Sequence, residues 1–266
     1  MKRFVDVMAV GAFSVAALLA FHLIPEIGSN KDFNGILSYS VIALAFFYFT
    51  HAYKLPSLKY FRLPEATVPS VFGLLFVTIL CYSKMTGPEI ISLPLLPTIT
   101  GIAYLISIGV GEELVTRGFG LGVLKKYGMT FAVIVSSVIF GLMHLNVYLG
   151  KDWDPVNAYW HCLSAASFGF LAASVMIVTR SIVTAIVLHS CYDWSVVFEK
   201  HMKESGSDYV QHFDPLWQTI KDSFGFILPN VTFGLILLGV YRLAQIRKVP
   251  RFVEKIALRL KLVEAE

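Results

Sequence analysis

Eight long apolar stretches, separated by short polar connections, constrain the fold of this chain more than any other feature. We place them at residues 5–24, 35–53, 67–83, 92–117, 129–149, 158–179, 182–198 and 223–244. Each has about the 20 residues that an α-helix needs to cross the hydrocarbon core of a bilayer. Only 15% of the residues are charged, whereas a soluble domain carries about 25%. The sequence therefore predicts an all-α, polytopic membrane helix bundle with about eight transmembrane helices.

The distribution of lysine and arginine predicts how this bundle is oriented. With eight spans, sixteen of the 22 Lys and Arg residues fall on the side of the two termini and six on the other side. Because basic residues accumulate on the cytoplasmic side, we expect both termini to be cytoplasmic. We predict one integral membrane domain over 1–249. The segment 250–266 fits either a basic amphipathic helix on the inner membrane surface or a solvated charged tail. The net charge of +4 does not indicate nucleic-acid binding.

A cluster of charges at the end of the fourth stretch is the first functional signal. Glu112, Glu113 and Arg117 follow the apolar run over 99–110. A charged side chain at membrane depth costs about 2.5–3.5 kcal/mol, so it is a functional-site hypothesis by default. Glu113 and Arg117 are four residues apart and can pair on one helical face. Glu112 points about 100° away from its neighbour and needs another partner.

The next apolar stretch offers that partner. The connection between the two stretches contains Gly128, which lies sixteen residues after Glu112 and sixteen before His144. In an antiparallel hairpin the two side chains then lie at one depth, about 24 Å from the turn. Phe140, four residues before His144, can pack beside the imidazole in a supporting role.

A third polar pair, His189 and Asp193, lies inside the seventh stretch, and its i, i+4 spacing puts both side chains on one helical face. From the turn at Arg180, His189 is only about 13 Å deep. Its depth agrees with that of Glu112 if the fourth and fifth helices project about two turns into the cytoplasm. We therefore expect three segments to converge on one site.

These residue types suit the hydrolysis of a peptide bond. Glu112 can take a proton from the attacking water, and His144 can share that water or protonate the leaving amine. His189, oriented by Asp193, can donate a hydrogen bond to the developing oxyanion. An alternative uses Glu112, His144 and His189 as ligands of a single zinc ion. A His-Glu-x-x-His motif is absent from the sequence.

Three motifs, in this order, resemble the CPBP family, which contains CAAX prenyl endopeptidases and bacteriocin-processing enzymes and is also called the Abi family. They are Glu-Glu-x-x-x-Arg over 112–117, Phe-x-x-x-His over 140–144 and His-x-x-x-Asp over 189–193, and the resemblance covers residues 100–200. It implies an intramembrane endopeptidase in which Glu112 activates water with His144 as its partner. His189 and Asp193 would then stabilise the oxyanion, while Glu113 and Arg117 match supporting positions.

One position departs from the family pattern, because the eukaryotic CAAX enzymes have Asn where this chain has Asp193. An ionised Asp193 repels an oxyanion, so it must be protonated, orient His189 or bind a metal. We favour a metal-free glutamate mechanism that needs no cofactor. The resemblance leaves prenylation open, and peptide pheromones, bacteriocins or the ends of membrane proteins are all candidate substrates. The short loops are typical of a bacterial chain, which indicates a bacterial cytoplasmic membrane.

Two functions from other classes compete with this hypothesis. An ion-coupled transporter can use buried Glu, Arg and His as a proton relay, but such proteins favour broken helices in two related halves. The sequence contains no such repeat. A non-catalytic membrane scaffold or immunity protein with the same fold is the second. We expect His161, in the sixth stretch, to serve core packing or an interhelical hydrogen bond rather than to line the site.

Overall fold

The computed structural model describes residues 2–23, 31–85, 94–145, 155–195, 197–198 and 216–245, with side chains in these ranges except at 18–23, 31 and 216–222. The predicted tail over 250–266 lies outside the described residues. In chain order, the helices are α1 (Lys2–Leu23), α2 (Lys31–Ala52), α3 (Val68–Met85), α4 (Leu95–Tyr127), α5 (Met129–Met143), α6 (Pro155–Thr179), α7 (Ile182–Tyr192) and α8 (Leu216–Gln245). A 3-10 turn, Pro56–Tyr60, follows α2. No strand occurs in these ranges, and the all-α membrane bundle is confirmed.

Five helices of the described part are long and apolar enough to cross a membrane, namely α2, α3, α4, α6 and α8. In contrast, α5 has 15 residues and α7 has 11. At 1.5 Å per residue they are about 22 Å and about 16 Å long, shorter than a hydrocarbon core of about 30 Å. The predicted spans 129–149 and 182–198 extend past these two helices, and the described residues 194–195 and 197–198, after Asp193, are again helical. His144 and Asp193 are the C-cap residues of the two short helices, so both motifs end where a helix ends inside the bundle.

Small residues let the helices that carry the motifs approach closely. A Cβ atom added to Gly141 of α5 would collide with the backbone carbonyl oxygen of Cys162 in α6. A Cβ atom added to Gly109 of α4 would lie 2.7 Å from Oγ of Ser190 and 3.0 Å from the carbonyl oxygen of Ile186, both in α7. Glycine at these positions therefore permits backbone approach of the kind found between membrane helices.

Polar contacts bring several connections together at one end of the bundle. Asp6, near the start of α1, contacts Nζ of Lys126 at 2.5 Å and accepts a hydrogen bond from Tyr127 at the end of α4. Glu65, in the α2–α3 connection, pairs with Arg180 at 2.6 Å, in the turn between α6 and α7. These connections belong to the basic side that the eight-span topology predicts.

Candidate active site

The first motif lies where α4 changes from an α-helix to a π-helix. The segment Leu95–Glu113 is α-helical, Leu114–Gly120 is a π-helix, and Leu121–Leu124 and Lys125–Tyr127 complete α4 as an α-helical and a 3-10 turn. Glycines at 118 and 120 weaken α-helix formation, and Ser57 donates a hydrogen bond to the carbonyl oxygen of Gly118. Such π segments are rare and occur frequently at functional sites.

Arg117, within the π-helix, is buried between α4, α5 and α6. Its Nη1 atom lies 3.1 Å from Oε1 of Glu113, and its Nη2 atom donates to the carbonyl oxygen of Gly169 at 2.8 Å. The guanidinium carbon lies 4.6 Å from the ring centroid of Phe140, a cation–π contact. The ion pair predicted from the spacing is present. The side chains of Arg117 and Glu113 are 1% and 0% exposed, and several partners compensate the desolvation of the buried charges.

Glu113 also contacts His189 across the interface between α4 and α7. Its Oε1 atom lies 2.9 Å from Nδ1 of His189. Because an ionised carboxylate can only accept, Nδ1 carries the hydrogen of this bond. The imidazole ring packs against Phe140 and Phe168, with ring centroids 5.6 and 5.0 Å away. Glu113 therefore orients His189 through Nδ1, a contact that the sequence did not predict.

The other nitrogen of His189 faces two carboxylates. Its Nε2 atom lies 3.4 Å from Oδ2 of Asp193 and 3.8 Å from Oε2 of Glu112. The Oε2 atom of Glu112 is buried and has no hydrogen-bond partner among the described residues, and the distance of 3.8 Å is too long for a direct hydrogen bond. The structure thus brings Glu112, His189 and Asp193 together around one small polar space.

The second oxygen of Glu112 has a partner that the sequence did not indicate. The hydroxyl of Tyr39, on α2, donates a hydrogen bond of 3.1 Å to Oε1 of Glu112. The two residues are 73 positions apart. A tyrosine inside an apolar stretch resembles any other core aromatic residue, so no local signal could have singled it out.

His144 lies beside this group rather than inside it. Its ring packs 4.8 Å from the ring of Phe140, as the spacing predicts, and its Nδ1 atom lies 2.9 Å from the carbonyl oxygen of Phe140. Among the described residues, Glu112 forms hydrogen bonds and ion pairs with Tyr39 and His189 and none with His144. A direct hydrogen bond between Glu112 and His144 is not formed among these residues. The count from Gly128 assumed a regular α-helix, whereas the end of α4 is a π-helix and a 3-10 turn.

His161 of α6 packs against His144, a residue of the predicted site. Its ring centroid lies 5.2 Å from that of His144 in an edge-on contact. This contact agrees with the core packing that the sequence predicts for His161.

The described side chains do not form the three-ligand zinc set considered above. No group of three His, Cys, Asp or Glu residues in the described ranges is arranged to hold a metal ion. Within the considered set, Nδ1 of His189 is engaged by Glu113 and Nδ1 of His144 by the carbonyl oxygen of Phe140. These Nδ1 contacts leave both Nε2 atoms as possible metal ligands, but no hydrogen bond or ion pair joins His144 to Glu112 in this part of the chain. The mechanism that we propose uses Glu112 without a metal ion.

Comparison with known families identifies the segment that carries these residues. Residues 94–195 match the family model described as Type II CAAX prenyl endopeptidase Rce1-like. No curated protein and no solved structure was found to match the chain. The matched segment runs from the start of α4 past the end of α7 and contains all three motifs, whereas α1, α2, α3 and α8 lie outside it. Residues 94–195 are therefore similar to the Rce1-like type II CAAX prenyl endopeptidases, the group to which the three motifs also point.

Proposed function

We propose that this protein is an intramembrane endopeptidase that cleaves membrane-associated peptides or proteins with a water molecule activated by Glu112. The observation that carries the proposal is the environment of one atom, Oε2 of Glu112. This atom is buried, lacks a hydrogen-bond partner within the described ranges and lies 3.8 Å from Nε2 of His189. A buried acceptor without a partner costs free energy, and a water molecule bridging the two atoms would satisfy both.

In the proposed reaction, Glu112 takes a proton from this water while the water oxygen attacks the carbonyl carbon of the scissile bond. His189 then donates a hydrogen bond from Nε2 to the oxyanion of the tetrahedral intermediate. The proton held by Glu112 passes to the leaving nitrogen, directly or through His144, as the carbon–nitrogen bond breaks. The carboxylate of Glu112 is thereby regenerated.

Asp193 has a different part in this proposal. An ionised carboxylate repels an oxyanion, so direct contact between them would oppose catalysis. With Oδ2 3.4 Å from Nε2 of His189, Asp193 favours the protonated imidazole by its charge, and the Nε2 hydrogen stays available to the bridging water. During the reaction the oxyanion accepts that hydrogen, while Glu113 keeps the ring in place through Nδ1.

The proposed substrate is a membrane-associated peptide or protein, with or without a prenyl group, in the cytoplasmic membrane of a bacterium. We propose that both termini face the cytoplasm. This orientation is supported by the Lys and Arg distribution and by the contacts of Asp6 with Lys126 and of Glu65 with Arg180 at one end of the bundle.

A comparison of membrane peptides tests the proposed function. Cells expressing the wild-type chain, Glu112→Ala, Glu112→Gln or the control Glu65→Gln are compared for cleaved peptides and for the amount of protein in the membrane. We expect a set of products that disappears in both Glu112 variants at an unchanged protein level and persists in the control. A product profile unchanged in the Glu112 variants would exclude the peptidase and favour a scaffold or transporter.

A further inference from the structure

Tyr39 enters the site from α2, a helix outside the family-matched segment 94–195. The approach of α2 to α4 depends on Gly111, directly before the two glutamates. A Cβ atom at this position would lie 2.8 Å from Cδ1 of Tyr39 and 3.3 Å from its backbone oxygen. The absence of a side chain at residue 111 therefore lets the Tyr39 ring reach the carboxylate of Glu112.

Packing holds the phenol ring in this position. Tyr39 and Tyr104 have ring centroids 6.2 Å apart, and both pack against a buried cluster formed by Leu105, Ile108, Trp194, Val197 and Phe198. This cluster joins α4 to the residues that follow Asp193. The ring of Tyr39 is thus supported by the same two segments that carry Glu112 and Asp193.

The hydrogen bond from Tyr39 makes the two oxygens of Glu112 unequal. Oε1 accepts the phenolic hydrogen at 3.1 Å, whereas Oε2 faces Nε2 of His189 without a hydrogen bond in the described part of the chain. A carboxylate held at one oxygen has a defined direction for its other oxygen. A free carboxylate group, by contrast, exchanges its two oxygens by rotation.

We propose that Tyr39 is a positioning residue of the peptidase site, which holds Oε1 of Glu112 so that Oε2 receives the proton of the attacking water. The inference rests on the proposed function. It adds a residue of α2 to a site whose other members all lie within 94–195. It also implies that the matched segment alone does not contain every group the site needs.

The effect of removing the phenolic hydroxyl follows from the strength of the bond. Hydrogen bonds to charged groups are among the stronger ones in proteins, so Tyr39→Phe should lower kcat by about 10-fold to 100-fold. KM should change little, because the hydroxyl contacts Glu112 rather than the substrate.

The test uses the detergent-solubilised full chain and a synthetic peptide that spans a Glu112-dependent cleavage site found in the membrane peptidome. Tyr39→Phe is compared with Tyr127→Phe, which removes a tyrosine–carboxylate hydrogen bond to Asp6 at the end of the bundle. We expect a lower kcat at an unchanged KM only in Tyr39→Phe, with both variants folded by thermal unfolding.

The possible results separate the two proposals. If wild type and Glu112→Gln give the same products, the proposed function fails and no cleavage peptide is obtained. If products depend on Glu112 but Tyr39→Phe retains the kcat of Tyr127→Phe, the role of Tyr39 is excluded while the function stands. An equal loss of kcat in both tyrosine variants would assign a merely structural effect to the hydroxyl.

Discussion

Glu113 and His189 are hydrogen-bonded across the α4–α7 interface, with 2.9 Å between Oε1 and Nδ1. The same oxygen of Glu113 lies 3.1 Å from Nη1 of Arg117. The first and third motifs therefore form one connected polar group, in which Glu113 bridges Arg117 and His189. Each carboxylate of the Glu-Glu pair contacts a different nitrogen of the same imidazole, since Glu112 lies near Nε2.

Glu113→Gln should reduce both stability and activity. The change leaves Arg117 buried without its counter-charge, and breaking a buried pair from one side costs about 3–5 kcal/mol. Thermal unfolding in detergent and the rate of peptide cleavage provide the measurements. The control is Glu65→Gln, which alters a partly exposed ion pair of Arg180 and should cost less than about 1 kcal/mol. Equal unfolding temperatures for the two variants would contradict the assigned role of Glu113.

His144→Ala should lower kcat strongly without unfolding the protein. General acid–base groups contribute about 100-fold to 10,000-fold to a rate, and we propose that His144 relays the proton to the leaving amine. Steady-state kinetics on the synthetic peptide measure the loss, with His51→Ala, an exposed histidine at the end of α2, as the control. If His144→Ala retains at least half of the wild-type kcat, proton transfer does not require this imidazole.

Gly141→Ala should destabilise the bundle, because the new methyl group meets the backbone carbonyl oxygen of Cys162 and the side chain of Ala166. Overpacking typically costs about 1–3 kcal/mol, and a backbone atom cannot rotate away. Gly239→Ala is the matched control, since no atom lies within 4 Å of its added Cβ among the described residues. In that helix interior, alanine should be neutral or stabilising by up to about 1 kcal/mol. An equal fall in unfolding temperature for Gly141→Ala and Gly239→Ala would show that close packing of α5 on α6 does not cause the loss of stability.

Chelators should leave cleavage of the peptide unchanged. The described side chains offer no group of three metal ligands, and the proposed mechanism relies on Glu112 as the base. Activity is measured after dialysis against a zinc chelator, together with the zinc content of the purified protein. Loss of activity that returns with added zinc would support the metal-dependent alternative with Glu112, His144 and His189.

Cysteine labelling tests the orientation of the bundle. With a membrane-impermeant maleimide applied from outside intact cells, Leu95→Cys at the start of α4 should be labelled and Lys59→Cys should not. The unsubstituted chain controls for reaction of Cys81, Cys162 and Cys191, and broken cells verify that Lys59→Cys is reactive. Labelling in the reverse pattern would place the termini outside the cytoplasm.

Contacts set by helical periodicity could be predicted from the sequence. The Glu113–Arg117 pair and the packing of Phe140 on His144 follow from i, i+4 spacing, which holds in each case within one continuous segment. Counting residues is less informative where the helix is irregular. Beyond Glu113 the π-helix and the 3-10 turn change the rise and rotation per residue, so the equal count to Gly128 does not determine whether Glu112 and His144 meet.

The amino-acid sequence by itself determined the helical membrane architecture and the set of polar residues that must be compensated inside it. Apolar length and the cost of buried charge are local properties, and they can be derived from the chain without its fold. Only the tertiary structure decided that Glu113 holds Nδ1 of His189 and that Tyr39 reaches Glu112. Those contacts depend on how the helices are rotated and on how closely they approach each other. Glycines such as Gly109 and Gly111, which pack against residues far away in the sequence, set this geometry.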